Sequence, residues 1–472
     1  MFLYNIYLYL FIYIFIIIFI VIFFSNYIRL FSYYSFSLIF IITWFLILIY
    51  NKSILWFQLI IKFYTINYLQ ISYIIGIDNI SIFFTIICSF IILVCYLIYW
   101  YLSYKINLYS FVLIFTLFIL LNTFSSLDIF IFFIYFESIV IPMFLLISVW
   151  GSRNRRVYAS YLLLAYTLLG SVFVLISILY IYTNLGSSSF IYILNLYIFT
   201  NKQLIIFLAF FIGFGIKIPI VPLHIWLPEA HVEAPTSGSV ILAGIILKLG
   251  IYAILRLLFC FIFDINKDIL FFICILSFIG FLYASQVALS QIDLKKVIAY
   301  SSISHMNFSI LGLLSESIIS LNGLFYLMLG HAITSSALFL GIGVLYDRYK
   351  TRLIPYYGSL VIYMPIFATI YFLFILANFG FPGTFNFIGE FLILIGLFST
   401  SSTLFFLSSL PLILTLVYSL FLYNRVFFGP IYTTFIRYYS DNTLLEFIIL
   451  TILVIISLFG AFCPMLVLSI IN

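Results

Sequence analysis

Six ionisable residues stand in stretches where a polar side chain is costly. Glu137 lies in Asp128-Ile-Phe-Ile-Phe-Phe-Ile-Tyr-Phe-Glu137-Ser-Ile-Val-Ile-Pro142, nine residues into an otherwise apolar run. At the helical rise of 1.5 Å per residue that is about 13 Å deep, near the middle of a bilayer. Lys217 lies in Gly213-Phe-Gly-Ile-Lys217-Ile-Pro219, and Lys248 sits well inside another apolar run, in Leu242-Ala-Gly-Ile-Ile-Leu-Lys248-Leu-Gly250. His305 and His331 are flanked by small hydroxyl residues, in Ser301-Ser-Ile-Ser304-His305-Met-Asn307 and Gly330-His331-Ala-Ile-Thr334-Ser-Ser336. Glu390 closes the run Pro382-Gly-Thr-Phe-Asn386-Phe-Ile-Gly389-Glu390. Ionisable groups inside a membrane mark proton or ion pathways more than any other single-sequence feature.

The chemistry these types support is proton transfer. Away from water a carboxyl holds its proton more tightly and an ammonium less tightly, so opposed groups can load and release one. Small hydroxyl neighbours let helices approach and can orient an imidazole or a water chain. Plainer readings stay open: a neutral Glu137 sharing its proton with a carbonyl, a Lys217 that snorkels, histidines that only pack.

Other chemistry finds less support. His224 and His231 are seven apart, not an H-x3-H ligand pair. The five cysteines, Cys88, Cys95, Cys260, Cys274 and Cys463, contain no C-x2-C pair and read as small core hydrophobes. No Walker A loop, nucleophile elbow or G-x-G-x-x-G occurs; Gly341-Ile-Gly343 lacks the third glycine. The chain therefore has no visible means of binding a nucleotide or passing electrons. Asp293, Lys295 and Lys296, like Arg153, Arg155 and Arg156, read as solvated helix ends.

The elements that must hold these groups follow from composition. Of 472 residues, 67% are hydrophobic and only 7% charged, with a mean hydropathy of +1.35. A soluble surface needs about 25% charged residues, so most of this chain faces lipid or other membrane helices. Dyad alternation is missing, which excludes a barrel. Apolar runs give fourteen candidate spans, at 5–24, 34–57, 77–101, 107–124, 128–150, 157–183, 203–231, 237–259, 269–289, 293–314, 318–345, 361–398, 403–428 and 443–470. The expected fold is an all-α polytopic membrane protein.

Two of these spans are interrupted, the seventh by Gly213-Phe-Gly-Ile-Lys217-Ile-Pro219 and the twelfth by Asn378-Phe-Gly-Phe-Pro-Gly-Thr384. Gly and Pro favour unwound backbone, tolerated at membrane depth only where it lines protein or a wet cavity. Each broken span is the fourth of five, which predicts two inverted five-helix repeats. The boundaries are then 1–106 for three leading helices, 107–260 and 261–430 for the repeats, and 431–472 for a terminal helix.

Connections after odd-numbered spans carry twelve basic residues, among them Arg29, Lys105, Lys295, Arg348, Lys350, Arg352, Arg425 and Arg437. Those after even-numbered spans carry five, Lys52, Lys62, Lys202, Arg256 and Lys267. The positive-inside rule puts the odd connections in the matrix or cytoplasm. Met1-Phe-Leu-Tyr4 enters an apolar run without an import presequence, so the chain is expected to insert uncleaved. The excess of Phe (59) and Tyr (39) hints at AT-rich codons and an organellar gene.

The block from Lys217 to Gly250, with Lys217-Ile-Pro-Ile-Val-Pro-Leu-His224-Ile-Trp-Leu-Pro-Glu-Ala-His231-Val-Glu-Ala-Pro235 at its head, closely resembles the antiporter-like subunits of proton-pumping NADH:ubiquinone oxidoreductase, respiratory complex I. That family is shared with multisubunit sodium/proton antiporters. The resemblance recurs at Gly76-Ile-Asp78-Asn-Ile-Ser81, Phe136-Glu137 to Pro142-Met143, Ile298 to Met306, Gly330-His331-Ala332 and Asn386 to Phe391. It favours the chain 4 group: a glutamate stands at Glu390 where the chain 5 group carries lysine, and the chain ends at Asn472 without a long lateral helix.

The resemblance implies fourteen helices, with Glu137 and Lys217 as the carboxylate and lysine pair and Lys248 as the central lysine. His305 and His331 would be relay histidines, and Glu390 the terminal carboxylate. It implies no cofactor in this chain, with NADH, FMN, iron–sulfur clusters and ubiquinone handled by other subunits. The implied partners are the paralogous chains 2 and 5, accessory subunits and lipids such as cardiolipin, with no nucleic acid. The implied location is the mitochondrial inner membrane, with a bacterial plasma membrane as the other setting. Rival functions are a cation/proton antiporter without redox partners and a structural membrane subunit whose charges only fix helix register.

Overall fold

The computed structural model describes residues 13, 17, 28–51, 57–66, 71–98, 100, 104–190, 203–258, 267–430 and 440–471. Apart from Tyr13 and Ile17 the expected first span lies outside them, as do Met1 to Tyr4, Lys52, Lys202, Cys260 and Arg437.

In hydrocarbon every backbone N–H and C=O must pair within its own segment, which leaves helices as the open solution for apolar runs of this length. Among the described residues, eleven helices are long and apolar enough to cross a membrane. Three shorter apolar helices, Gln203–Lys217, Pro365–Asn378 and Phe385–Thr400, come from the two interrupted spans. The chain is mostly helical, and it divides into two compact units.

Unit one comprises Met1–Lys217 with Tyr252–Ile265, together with Ile471. Its described helices begin with α1 (Ile28–Ile49), α2 (Asn79–Ile98) and α3 (Ile106–Ser125). The span expected at 34–57 is displaced: α1 ends at Ile49 and a hairpin follows, β1 (Gln58–Ile66) antiparallel to β2 (Ile71–Ile77). Both strands are rich in Ile, with a Tyr in each and Phe and Thr in β1, side chains that fit a pleated surface. Asp128 fastens this hairpin to the next helix pair. Its carboxylate accepts from the backbone of Phe130 at 2.9 Å as the N-cap of α4 (Ile129–Ser138), and from Ser72 N at 3.1 Å and Ser188 Oγ at 2.8 Å.

The span expected from 128 to 150 is present as one crossing stretch, Ile129–Trp150, with a local irregularity at Ile139 between α4 and α5 (Val140–Trp150). Pro142 supplies the reason, because it has no N–H to offer Ser138, one turn back. Arg156 then closes α5 by donating to Val149 O and Gly151 O at 3.1 and 3.0 Å. The following helices, α6 (Arg156–Leu185) and α7 (Gln203–Lys217), cross where two glycines meet. A methyl at Gly170 would lie 2.9 Å from the Gly213 carbonyl oxygen, and one at Gly213 2.8 Å from that of Gly170. Gly213, expected to break its helix, is a close-approach residue inside it. The unwound segment comes later, at residues 218–225.

Unit two comprises Ile218–Ile251 and Asn266–Ile470, together with Asn472. It starts with two short helices, α8 (Trp226–Glu233) and α9 (Thr236–Ile241). After α9 the helix widens into a π turn at Leu242–Ile246 and resumes as α10 (Leu247–Ala253), which passes into unit one after Ile251, where it widens again at Ile254–Leu258. Then come α11 (Lys267–Ser290), α12 (Leu294–Leu314) and α13 (Ile318–Tyr349). Helix α13 is the axis of the unit, with every residue of its most apolar stretch buried. Beyond a short α14 (Leu360–Tyr363) lie α15 (Pro365–Asn378) and α16 (Phe385–Thr400), interrupted at the expected place, and then α17 (Ser402–Phe427), α18 (Leu444–Phe462) and α19 (Pro464–Ile471).

Candidate functional site

In unit one, Lys217 is the last residue of α7 and reaches the last turn of α4. Its Nζ is 3.0 Å from Glu137 Oε1, with both side chains largely buried. The same Nζ donates to the Phe136 carbonyl at 2.7 Å and stands 3.3 Å from the centre of the Phe136 ring. The ammonium is thus held by a carboxylate, a carbonyl dipole and an aromatic face. Sequence reasoning named Glu137 and Lys217 but passed over Phe136. Pro142, six residues on, was the available signal that the helix is interrupted nearby.

A second ion pair in unit one was also missed as a pair. Arg256 guanidinium meets the Asp78 carboxylate, donates to Tyr252 Oη at 3.0 Å, and lies over the Phe57 ring. Tyr252 in turn donates to the Phe124 carbonyl at 2.9 Å. Arg256 had been assigned to a connection between spans; it is a largely buried residue of the second π turn. The long aliphatic stem and planar head let Arg satisfy a buried partner this way.

In unit two, Lys248 is fully buried. Its Nζ donates to Ala243 O, five residues back on the π turn, and is 2.8 Å from His331 Nδ1 on α13. A π turn shifts the hydrogen-bond ladder by one residue, which makes such a carbonyl reachable. The His331 and His305 rings are 5.4 Å apart between centroids, and both are fully buried. His305 Nδ1 is 3.5 Å from Glu390 Oε1, close enough for attraction and long for a hydrogen bond. Lys248, His331, His305 and Glu390 therefore form one continuous line of ionisable groups within this unit.

The second helix interruption places the end of that line. Gly380 adopts a φ of 69°, and the volume that a side chain would fill there is occupied by the Glu390 carboxylate. Asn386, at the start of α16, donates to Ala377 O at 2.9 Å and to Thr334 Oγ1 at 3.3 Å, tying the two halves of the broken helix to α13.

Another expectation is reversed. Lys295, taken for a solvated helix end, is 2% exposed and donates to Ala234 O at 2.7 Å. Its position near a helix N-terminus gives no sign of this from sequence; the partner is a carbonyl 61 residues away. Lys296 keeps partial exposure and pairs with Glu229 at 2.9 Å. His224 is buried, edge-on to Tyr283 and Tyr300. Among the described residues no three His, Cys, Asp or Glu side chains gather as metal ligands.

A polytopic helical protein with two interrupted helices, a buried Lys–Glu pair in one unit and a Lys–His–His–Glu line in the other is of the ion-transporting, antiporter-like class. The chain belongs to the NADH:quinone oxidoreductase/Mrp antiporter transmembrane family, whose model matches residues 126–459. Among its relatives, a protein of Acanthamoeba castellanii named NADH-ubiquinone oxidoreductase chain 4 is 47% identical over 378 residues, covering 80% of this chain and 76% of that protein. The protein of the same name from Marchantia polymorpha is 47% identical over 387 residues, 82% of this chain and 78% of that one. That of Chondrus crispus is 44% identical over 419 residues, 88% and 85%.

Among solved structures, a chain of respiratory complex I from Thermus thermophilus superposes with a TM-score of 0.89 at 24% identity over 98% of this chain and 96% of that one. A chain of the archaeal membrane-bound sulfane sulfur reductase gives 0.86 at 23% identity, covering 98% and 76%. At that identity these two establish the fold.

Proposed function

We propose that this chain is a membrane-arm subunit of NADH:ubiquinone oxidoreductase that translocates protons while other subunits oxidise NADH and reduce quinone. The observation that carries the reading is the 47% identity to chain 4 proteins over four-fifths of the chain, together with a family match at residues 126–459 that includes all six ionisable positions. NADH, FMN, iron–sulfur clusters and ubiquinone would belong to those other subunits. The neighbours would be the paralogous chains 2 and 5, in the mitochondrial inner membrane.

The cycle starts with Lys217 held charged by Glu137. A conformational or electrostatic signal from a neighbouring subunit weakens that pair, and Lys217 gives up its proton. Lys248 takes up a proton in the same cycle, and His331 and His305 pass it to Glu390 for release. Close charges with little water between them couple strongly, so a change in one pairing alters its neighbours' hold on protons. Support comes from the 3.0 Å Lys217–Glu137 pair and the 2.8 Å contact of Lys248 with His331.

The test is Glu137→Gln in the assembled enzyme. Taking one partner from a buried ion pair costs about 3–5 kcal/mol, so proton output per NADH oxidised should fall at least several-fold. Full output from an assembled Glu137→Gln enzyme would remove the assigned role. The family model also spans Mrp antiporters, which keeps a second reading: a cation/proton antiporter without redox partners. Sodium-dependent dissipation of a pH gradient by membranes lacking NADH oxidation would favour it.

A further inference from the structure

The cycle above leaves unused a polar junction within unit two, where the short segment 440–443 meets the end of α13 and the starts of α15 and α18. Arg348, in the last turn of α13, uses all five of its N–H donors there. Its Nε donates to Ser440 O at 2.9 Å, and its Nη1 to Val344 O and to Glu446 Oε1 at 3.0 Å each. Its Nη2 donates to Asp441 O at 3.0 Å and to Glu446 Oε2 at 2.6 Å. The guanidinium thus holds one carboxylate with both arms and the 440–441 backbone with two further bonds. Glu446 is gripped from a second side, because its Oε2 also accepts from Thr443 N at 2.8 Å in the capping box that opens α18.

Asp441 carries this grip on to α15. That helix opens with Met364 as its N-cap, whose side chain makes no capping bond, and with Pro365, which has no N–H. The next two amides, Ile366 N and Phe367 N, both donate to the Asp441 carboxylate, at 3.0 and 3.2 Å, and Asn442 N joins them at 2.8 Å. The cap that α15 lacks in its own sequence is therefore supplied from 75 residues away, and its negative charge suits a helix N-terminus. At the other end of α15, Asn386 bonds Ala377 O and Thr334 Oγ1 of α13. The two ties fall at Ile366 and Ala377 on α15, about 17 Å apart at the helical rise, and at Arg348 and Thr334 on α13, about 21 Å apart. Helix α15 cannot slide along α13 without breaking one of them. Just past the second tie comes Gly380, which faces the Glu390 carboxylate.

We propose that Arg348 and Asp441 are positioning residues for Glu390: they fix the height of the first half of the broken helix against α13, and with it the place where Gly380 meets the carboxylate. Neither residue handles the proton. Without the Asp441 carboxylate the first amides of α15 lose their acceptor, and the half-helix keeps only the Asn386 tie and a bond at 3.2 Å from Tyr423 of α17 to Ala368 O. Gly380 then moves relative to Glu390, and the end of the Lys248 line loses its geometry. The proposal rests on the reading that Glu390 releases protons, so the experiment must separate the two.

The experiment uses the complete enzyme reconstituted in vesicles, with proton uptake followed by a pH-sensitive dye and divided by NADH oxidised, at equal amounts of assembled enzyme. Asp441→Ala removes the cap, whereas Asp441→Asn keeps an oxygen in the capping position and drops the charge. The expected result is a threefold or greater fall in protons per NADH for Asp441→Ala, with Asp441→Asn within twofold of the unmodified enzyme. The double variant of Asp441→Ala with Glu390→Gln should fall no lower than Glu390→Gln alone, because both changes act on one group. Equal losses in Asp441→Ala and Asp441→Asn would tie the effect to charge and not to the cap, and a double variant well below Glu390→Gln would place the action of Asp441 elsewhere; either overturns the proposal. A normal ratio in Asp441→Ala, with output declining only in step with assembled enzyme, marks a purely structural contact and overturns it as well. Where Asp441→Ala fails to assemble, Arg348→Lys is read in its place: it keeps a cation beside Glu446 but has three donors for five acceptors, and a normal ratio from it overturns the proposal. Normal output from Glu390→Gln would instead remove the underlying reading, whatever Asp441→Ala does.

Discussion

At the scale of single residues, the candidate site depends on groups whose neighbours leave little slack, and Gly380 makes this testable. A methyl there would fall on the Glu390 carboxylate, whereas one at Gly383 would meet nothing within 4 Å. Both glycines have positive φ, at 69° and 93°, so alanine strains the backbone at each by about 1–2 kcal/mol. The difference between the two variants then isolates displacement of Glu390. Gly380→Ala should lower proton output at least threefold more than Gly383→Ala, measured at equal amounts of assembled enzyme. Equal losses would mean that strain in the second helix interruption, and not the Glu390 position, is what matters. The six ionisable positions were legible because polar residues in apolar runs are rare. The partners that hold them were not: the Phe136 carbonyl and the Ala243 carbonyl are backbone atoms, which no side-chain pattern announces.

At the scale of elements, periodicity cannot distinguish a straight helix from one that pauses. The runs at 128–150 and 237–259 read as single spans and cross as such, yet one has an irregularity at Ile139 and the other carries two π turns. Lys217 and Lys248 donate to carbonyls beside those irregularities, Phe136 O and Ala243 O, so the unpredicted parts of the fold are the parts that touch the site. The twelfth span was legible because Gly380, Pro382 and Gly383 crowd one short segment. In the seventh span Gly213 misled, since its small size serves a helix crossing and not a bend. The hairpin at 58–77 was hidden because Ile, Phe and Tyr favour a strand and suit a membrane helix equally.

Asp128 links that hairpin to the helix whose last turn carries Glu137. Asp128→Ala removes an N-cap worth about 1 kcal/mol and leaves the Ser72 amide without its acceptor, for about 1–3 kcal/mol in total. The expected outcome is earlier thermal release of the chain from the assembled enzyme, together with faster protease cleavage in the hairpin. Unchanged melting and cleavage would show that α4 needs no anchor at this end.

At the scale of the whole chain, the question is whether the Lys217–Glu137 pair and the line from Lys248 to Glu390 serve one proton or two. Each unit holds a complete set of exchangeable groups, so a distance alone does not answer it. Energetics can. Mutations in groups that act as one device are non-additive, because the first already stops the cycle, whereas the flux lost from independent parallel paths adds. If Glu137→Gln and Glu390→Gln each lower proton output per NADH about tenfold, one shared path predicts that the double variant also stays near tenfold. Two separate paths, each carrying part of the flux, predict that each single variant loses only its own share and that the double variant loses nearly all. A structural role for the charges predicts a third pattern, in which assembled enzyme declines in step with output and the ratio per complex stays constant. The one-path outcome requires a link between Lys217 and Lys248, and it would direct the next substitutions to residues 218–247. That stretch holds both the first helix interruption and His231, joining the two lysines along the chain.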